Sequence, residues 1–261
     1  MTKLNFFINC DKGHSCFIFP HIFFAIMNGD SKSSFEVVTD QARAEKLNNS
    51  KGLHLLKNLF DNKIIIRGKR VKRGRRSKLV RSQIGRFLEE PILKAEYTYI
   101  GDIDILLTEP LVDFHVKKMQ SRNLCFDNEI RQDLRRLTGL HFVKTNEYYN
   151  ATRKARTGYN GPFGNDEDLL CRIVESSFGD IHKLIPTAEP FKISRPLHGT
   201  HLSLRRRPIS PKSKMRWGLH EKDRDIYKST INSPEWVSLK PYMPIQFIEI
   251  MKIFEDFFDI K

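Results

Sequence analysis

Apolar residues along the first hundred positions fall into alternating strand-length and helix-length runs. Residues 4–10 (LNFFINC) are apolar and β-prone, and residues 16–29 (CFIFPHIFFAIMNG) form a helix-length apolar segment closed by Gly29. Residues 34–40 (SFEVVTD) are a short β-branched run ending in an acid. This order predicts the opening of a βαβ unit. A further strand is predicted at residues 63–67 (KIIIR), and a helix at residues 77–88 with apolar positions Leu79, Val80, Ile84, Phe87 and Leu88. Residues 97–107 (YTYIGDIDILL) read as a buried strand with two aspartates inside it.

Beyond Asp113 the chain becomes richer in loops. Residues 137–143 (LTGLHFV) predict another strand, residues 166–176 a helix with acids in its first turn, and residues 196–208 an irregular basic loop. Phe247, Ile250, Met251, Phe254 and Phe258 recur at helical spacing over residues 245–260, a stripe expected to pack into the core. Strands and helices that alternate and lead to carboxylates at a strand end fit one α/β domain over residues 1–261, with an open sheet flanked by helices. In such sheets ligands bind beyond the carboxyl ends of the strands.

Charge adds a partner to this picture. The formal net charge is +14, so an anionic partner is expected: a phosphorylated substrate, phospholipid headgroups or nucleic acid. Nine basic residues crowd positions 67–81 (RGKRVKRGRRSKLVR), and a second group occupies 205–216 (RRRPISPKSKMR). The plainer alternative is a solvated loop. Cys10, Cys16, Cys125 and Cys171 are scattered with no CxxC pair, which suits a reducing cytoplasm. The apolar run at 17–27 is interrupted by Pro20 and His21 and falls short of the roughly 20 residues that span a bilayer. No secretory signal pattern opens the chain, and a cytoplasmic location is the expectation.

The sharpest chemical signal is Gly101-Asp102-Ile103-Asp104 after an apolar run. Two acids separated by one residue project to the same side of a strand and suit a shared divalent cation, which offsets the cost of burying them. Two enzyme classes use such a pair. Nucleotidyltransferases of the polymerase-β type place it about ten residues after a Gly-Ser turn, whereas here the nearest upstream glycine, Gly85, is followed by Arg86. Glycosyltransferases of the GT-A fold place it at a strand end, where manganese or magnesium meets the donor diphosphate.

In its order of elements and its DxD the chain resembles GT-A glycosyltransferases, particularly bacterial enzymes that build lipopolysaccharide, O-antigen or capsule from UDP-sugars. The resemblance implies a mixed sheet flanked by helices, with a nucleotide-binding half over residues 1–110 and an acceptor-binding half over 111–261. It implies Mn2+ or Mg2+ on Asp102 and Asp104, with His198 or His201 from a late loop as a further ligand. Arg86 falls where galactosyltransferase and glycogenin-like members keep an arginine that contacts the donor. Asp40 falls where the base or ribose binds, Gly139 in the small-residue strand beside the sugars, and Arg195 near the diphosphate.

Asp166, Glu167 and Asp168 open a predicted helix, where acids are also favoured by the helix dipole. By comparison with inverting members Asp168 is the expected general base, with Asp166 or Glu167 on acceptor hydroxyls. The family's Lys-Pro-Trp ending is absent. The expected activity is transfer of a hexose, galactose as the first choice, from a UDP-sugar to a polysaccharide or lipid-linked glycan, with basic segments against an anionic membrane. A nucleotidyltransferase is the alternative enzyme. A nucleic-acid-binding protein is the third reading, disfavoured because the basic residues lack interleaved aromatics.

Overall fold

The computed structural model describes residues 3–69, 82–131, 136–159, 166–185, 198–202, 221–257 and 259–260. The expected class is what it shows: a mixed α/β arrangement around a six-stranded sheet flanked by helices. Strands β1 (Leu4–Asn9), β2 (Ser33–Asp40), β3 (Ile64–Lys69) and β4 (Tyr97–Ile100) are parallel in the order β3-β2-β1-β4. Two antiparallel strands, β9 (His141–Lys144) and β6 (Phe126–Asp127), extend the sheet beyond β4.

The central strand β1 is buried at every position, as an uninterrupted apolar run requires when helices cover both faces of a parallel sheet. Helix α1 (Ile18–Asn28) follows it and is apolar nearly all round because it lies inside the core. Pro20 is tolerated there because it sits in the first turn, where a backbone N–H has no helical partner to lose. One hydrophobic core draws on residues from Leu4 to Ile260, including Phe247, Met251 and Phe254 of the C-terminal helix Ile245–Phe257. The stripe expected to be core therefore is core at those three positions. No helix among the described residues is long and apolar enough to cross a membrane.

Glu36 is a charged residue inside β2 with no solvent exposure. Its carboxylate accepts from Arg67 Nε at 2.8 Å and from the Leu93 backbone N–H at 3.0 Å, which compensates the charge without water. Arg67 and Lys69, the described start of the basic stretch, also pair with Glu89. The rest of that stretch and the basic group at 205–216 lie outside the described residues.

Three expectations are corrected, one being the strand at 137–143, which is broken at 138–140 so that Leu137 lies in β8 (Arg136–Leu137), outside the main sheet, and only 141–143 belong to β9. Residues 97–107 are not one strand: β4 ends at Ile100, the chain turns at 101–104, and β5 (Ile105–Leu107) leaves the main sheet. The physical cause is that β5 satisfies its backbone elsewhere. On one edge it pairs antiparallel with β10 (Gly199–His201). Toward α1, His21 Nδ1 donates to the Ile105 carbonyl at 2.7 Å and Asn28 Nδ2 to the Leu107 carbonyl at 3.0 Å. Residues 21 and 28 are seven apart and lie on one helix face, and the two carbonyls are two apart and lie on one strand edge, so both bonds form along the same α1–β5 contact. The third correction concerns residues 196–208: within the expected loop, 199–201 are strand β10. Gly199 permits this, since a Cβ there would lie 2.1 Å from the Leu106 carbonyl oxygen.

Buried histidines give the fold a measurable acid response. Burial lowers the His21 pKa to about 4 and that of His141 in β9 to about 3, both from an ordinary value of 6.5. Between pH 6.5 and 4 the unfolded chain takes up protons that the folded chain refuses, so stability falls as pH falls. Each histidine contributes a slope of about 1.4 kcal/mol per pH unit. The His21 share ends near pH 4, and the His141 share near pH 3. In His21→Asn the side-chain amide retains a donor for the Ile105 carbonyl and cannot titrate. Denaturant unfolding of this variant from pH 6.5 to 4.5 should show a slope shallower than the parent's by about 1.4 kcal/mol per unit. Equal slopes would show that His21 titrates freely in the folded protein.

Candidate active site

The parallel strands end on one edge, and polar residues gather there. Asn9, Cys10 and Asp11 close β1, Asp40 closes β2, and Gly101 and Asp102 follow β4. Helix α4 (Ser82–Leu88) packs closely on the end of β1: a Cβ on Gly85 would stand 2.5 Å from Asn9 Nδ2. That approach carries the next residue, Arg86, into the edge.

Arg86 is 3 % exposed and binds three acceptors. Nη1 donates to the Gly101 carbonyl at 2.6 Å and to Asp102 Oδ1 at 2.7 Å, while Nη2 donates to Asp166 Oδ2 at 2.8 Å. Asp166 opens α7 (Asp166–Phe178). Burial works against the guanidinium charge, but Asp102 and Asp166 together hold the pKa of Arg86 above its ordinary value. Gly139 completes this corner, since a Cβ there would lie 3.0 Å from Arg86 Nη2 and 3.8 Å from Asp102 Oδ2.

Asp104 faces the other way across the turn. Its Oδ2 lies 3.1 Å from His201 Nε2, with both side chains at most 10 % exposed. The ribbon sets this contact, because His201 is in register with Ile105, the residue after Asp104, and the Leu202 N–H donates to the Asp104 carbonyl at 2.8 Å. His198 instead reaches Glu109 through Nδ1 at 2.8 Å and packs against the rings of Phe114 and His115.

The donor set can be tested against a hard divalent cation. Two ligands at adjacent corners of an octahedron with bonds of about 2.1 Å stand about 3 Å apart, which matches the Asp104–His201 separation. Carboxylate oxygen suits manganese and magnesium, and imidazole nitrogen suits a transition metal rather than magnesium. Among the described residues no three of His, Cys, Asp and Glu group closely enough to hold a metal ion. Of the four expected ligands, Asp104 and His201 are together, Asp102 is held by Arg86, and His198 is held by Glu109.

Other expected residues have identifiable surroundings. Asp168 Oδ1 pairs with Arg136 Nε at 3.0 Å, and the carboxylate remains 37 % exposed on the first turn of α7. Glu167 is buried. Asp40 caps the helix α2 (Gln41–Asn48), accepting from the Arg43 N–H at 3.0 Å and from its guanidinium. Arg195 lies outside the described residues.

The structure adds groups that the sequence reading passed over. Asp11 and His14 are hydrogen-bonded at 2.8 Å just beyond β1. An acid directly after the central apolar run is the signal that marks them. Nearby Cys10 and Cys16 are not nucleophiles: burial raises the Cys16 pKa to about 12 and that of Cys10 further.

Removing the Arg86 charge leaves two carboxylates facing each other across a buried corner. Arg86→Met should lower unfolding free energy by about 3 kcal/mol. Adding Asp166→Asn should recover part of that loss, because it removes one of the uncompensated charges. Urea unfolding of the two single variants and the double variant measures this, and strictly additive effects would show that Arg86 and Asp166 are not coupled.

No family model matches the chain, and no curated protein does. Among solved structures, the glycosyltransferase GlyE of Streptococcus pneumoniae TIGR4 is similar at 11 % identity and a TM-score of 0.49, over 92 % of this chain and 62 % of that one. Its apo form is similar at 11 % identity and a TM-score of 0.44, over 68 % of this chain and 44 % of that one. The chain thus spans less than two thirds of the GlyE chains it matches. The galactosyltransferase LgtC in complex with donor and acceptor sugar analogs is similar at 12 % identity and a TM-score of 0.46, over 90 % of this chain and 99 % of that one. At these values no functional statement follows from the likeness, and the reading of function rests on the residues at the sheet edge.

Proposed function

We propose that this chain is a metal-dependent glycosyltransferase of the GT-A type. It would transfer a hexose, galactose as first choice, from a UDP-sugar to a polysaccharide or lipid-linked glycan. The observation that carries this reading is the Asp102–Asp104 turn at the carboxyl edge of a parallel sheet, with Arg86 on the first carboxylate and His201 on the second. Such an edge is where open α/β sheets bind ligands.

In this reading Asp104 and His201 would hold Mn2+ or Mg2+, and Asp102, held by Arg86, would stand beside the donor diphosphate. The cation, when bound, offsets the negative charge that builds on the leaving nucleotide. Arg86 keeps Asp102 oriented and supplies a fixed positive charge beside the diphosphate. Asp40, Asp11 and His14 border the nucleoside at the ends of β1 and β2. Asp168 takes the proton of the acceptor hydroxyl as the new bond to the anomeric carbon forms and the bond to the diphosphate oxygen breaks. Asp166, held by Arg86, and the buried Glu167 share its helical turn without facing the acceptor. The basic segments outside the described residues would hold the protein against an anionic membrane surface, each such residue contributing about 1 kcal/mol.

Calorimetric titration with UDP and with GTP, each with and without Mn2+, tests this assignment. UDP should bind only with the metal, and Asp104→Ala should weaken that binding by a hundredfold or more, since even outer partners of metal ligands are worth about 10–100-fold. Tight GTP binding without a UDP response, or UDP binding indifferent to both Mn2+ and Asp104, would overturn it. In a transfer assay with UDP-galactose, the anomeric configuration of the product read by NMR tests the role of Asp168, because an inverted product requires a base on the acceptor side.

A further inference from the structure

Asn128 lies between β6 and the short strand β7 (Ile130–Arg131), 3 % exposed, outside every motif discerned in the sequence. Its side chain uses its hydrogen-bonding capacity on one turn. Oδ1 accepts from the Glu129 N–H at 2.6 Å, the Thr138 N–H at 3.0 Å and the Thr138 hydroxyl at 2.6 Å. Nδ2 donates to the Thr138 carbonyl at 3.1 Å and to His141 Nδ1 at 3.0 Å.

Two backbone N–H groups aimed at one atom identify that atom as the amide oxygen, so the orientation of the amide follows from the network. Nδ2 then faces His141 Nδ1, which must present a lone pair. The ring is therefore neutral with its proton on Nε2, in agreement with a pKa lowered by burial to about 3. The clamp is complete without any charged group.

The clamped residues flank Gly139. Thr138 is held at both its N–H and its carbonyl, and His141 is held two residues further on in β9. Between them Gly139 stands beside the Arg86–Asp102 pair, where even a methyl group would crowd Arg86, its Cβ lying 3.0 Å from Nη2. A shift of the turn toward Arg86 would crowd the guanidinium where it meets Asp102 and Asp166. A shift away would leave the guanidinium without its wall.

We propose that Asn128 is a positioning residue for the donor site: by fixing Thr138 and His141 it sets Gly139 against Arg86, and through Arg86 it sets the orientation of Asp102. The inference rests on the glycosyltransferase reading of that site. It assigns Asn128 no contact with substrate.

The test compares Asn128→Ala with Asn62→Ala, which removes a different part-buried side-chain clamp, that of Asn62 Nδ2 on the Ser33 carbonyl at 2.8 Å at the far side of the sheet. Both variants are first checked for folding by circular dichroism and thermal melting. UDP affinity in the presence of Mn2+ should fall about tenfold or more in Asn128→Ala, the scale of outer partners of metal ligands. It should stay within about twofold of the parent in Asn62→Ala, as expected for a distant, independent site. Asn128→Asp, which replaces the Nδ2 donor with a buried carboxylate oxygen facing the Thr138 carbonyl and His141 Nδ1, should lose at least as much affinity as Asn128→Ala.

Gly139→Ala should lower affinity by a similar factor. Combined with Asn128→Ala it should add little, because both act through the same wall. Hydrogen exchange over residues 136–143 should quicken in Asn128→Ala, and this readout needs no nucleotide. Parent protein that binds UDP with Mn2+ while Asn128→Ala binds equally well would overturn this inference alone. Equal losses in Asn62→Ala and Asn128→Ala, or full additivity with Gly139→Ala, would reduce Asn128 to a stability role. Failure of the parent protein to bind would overturn the functional reading together with this one. If Asn128→Ala does not fold, Asn128→Asp and Gly139→Ala carry the same comparison.

Discussion

A guanidinium buried to 3 % exposure cannot be left uncompensated, and Arg86 meets that condition by joining three chain segments that are distant in sequence. Its planar fork reaches the Gly101 carbonyl, Asp102 on the turn after β4, and Asp166 at the start of α7. A lysine ammonium, a compact point charge without that fork, would not reproduce the arrangement. Much of the local sequence follows from the need to place this group. Gly85 allows α4 to close on Asn9, Gly139 leaves room beside the guanidinium, and Asp166 is drawn to a helix start where its charge is favoured in any case.

A second constraint builds the other half of the site. Strand β5 leaves the main sheet because His21 and Asn28 of α1 occupy two of its carbonyls and β10 pairs with it in an antiparallel ribbon. If β4 had run on through residue 107 as a single strand, Asp102 and Asp104 would have faced the same side. The turn instead sends Asp102 to Arg86 and Asp104 to His201, so each carboxylate has its own basic partner. The same ribbon decides between the two late histidines. It brings His201 beside Asp104, while His198, three residues earlier, meets Glu109 on the other side of β10.

The first-turn acids of α7 divide in a similar way. Asp166 faces inward to Arg86, Glu167 is buried, and Asp168 pairs with Arg136 at the rim, where its carboxylate keeps contact with solvent. Successive residues on a helix point about 100° apart, so three adjacent acids cannot serve one ligand. Their different burial separates two internal carboxylates from one that is open to solvent.

The sequence by itself determined the class of the fold and the position of the candidate site. Apolar runs of strand length at 4–10, 34–40 and 63–67, each followed by a helix or a turn signal, specify a parallel layer, because burial on both faces demands uninterrupted apolar strands. The acids after the run at 97–100 were legible for the same reason, since carboxylates are rare next to such a strand unless something compensates them. What compensates them was not legible. Arg86 to Asp166 spans eighty positions, His201 to Asp104 nearly a hundred, and neither the break at Gly101 nor the donation from His21 to Ile105 leaves a periodic trace. Asn128 left none either, because a single buried amide has no pattern to repeat. These contacts depend on which surfaces the folded layers bring within about 3 Å of one another, and only the tertiary structure decides that.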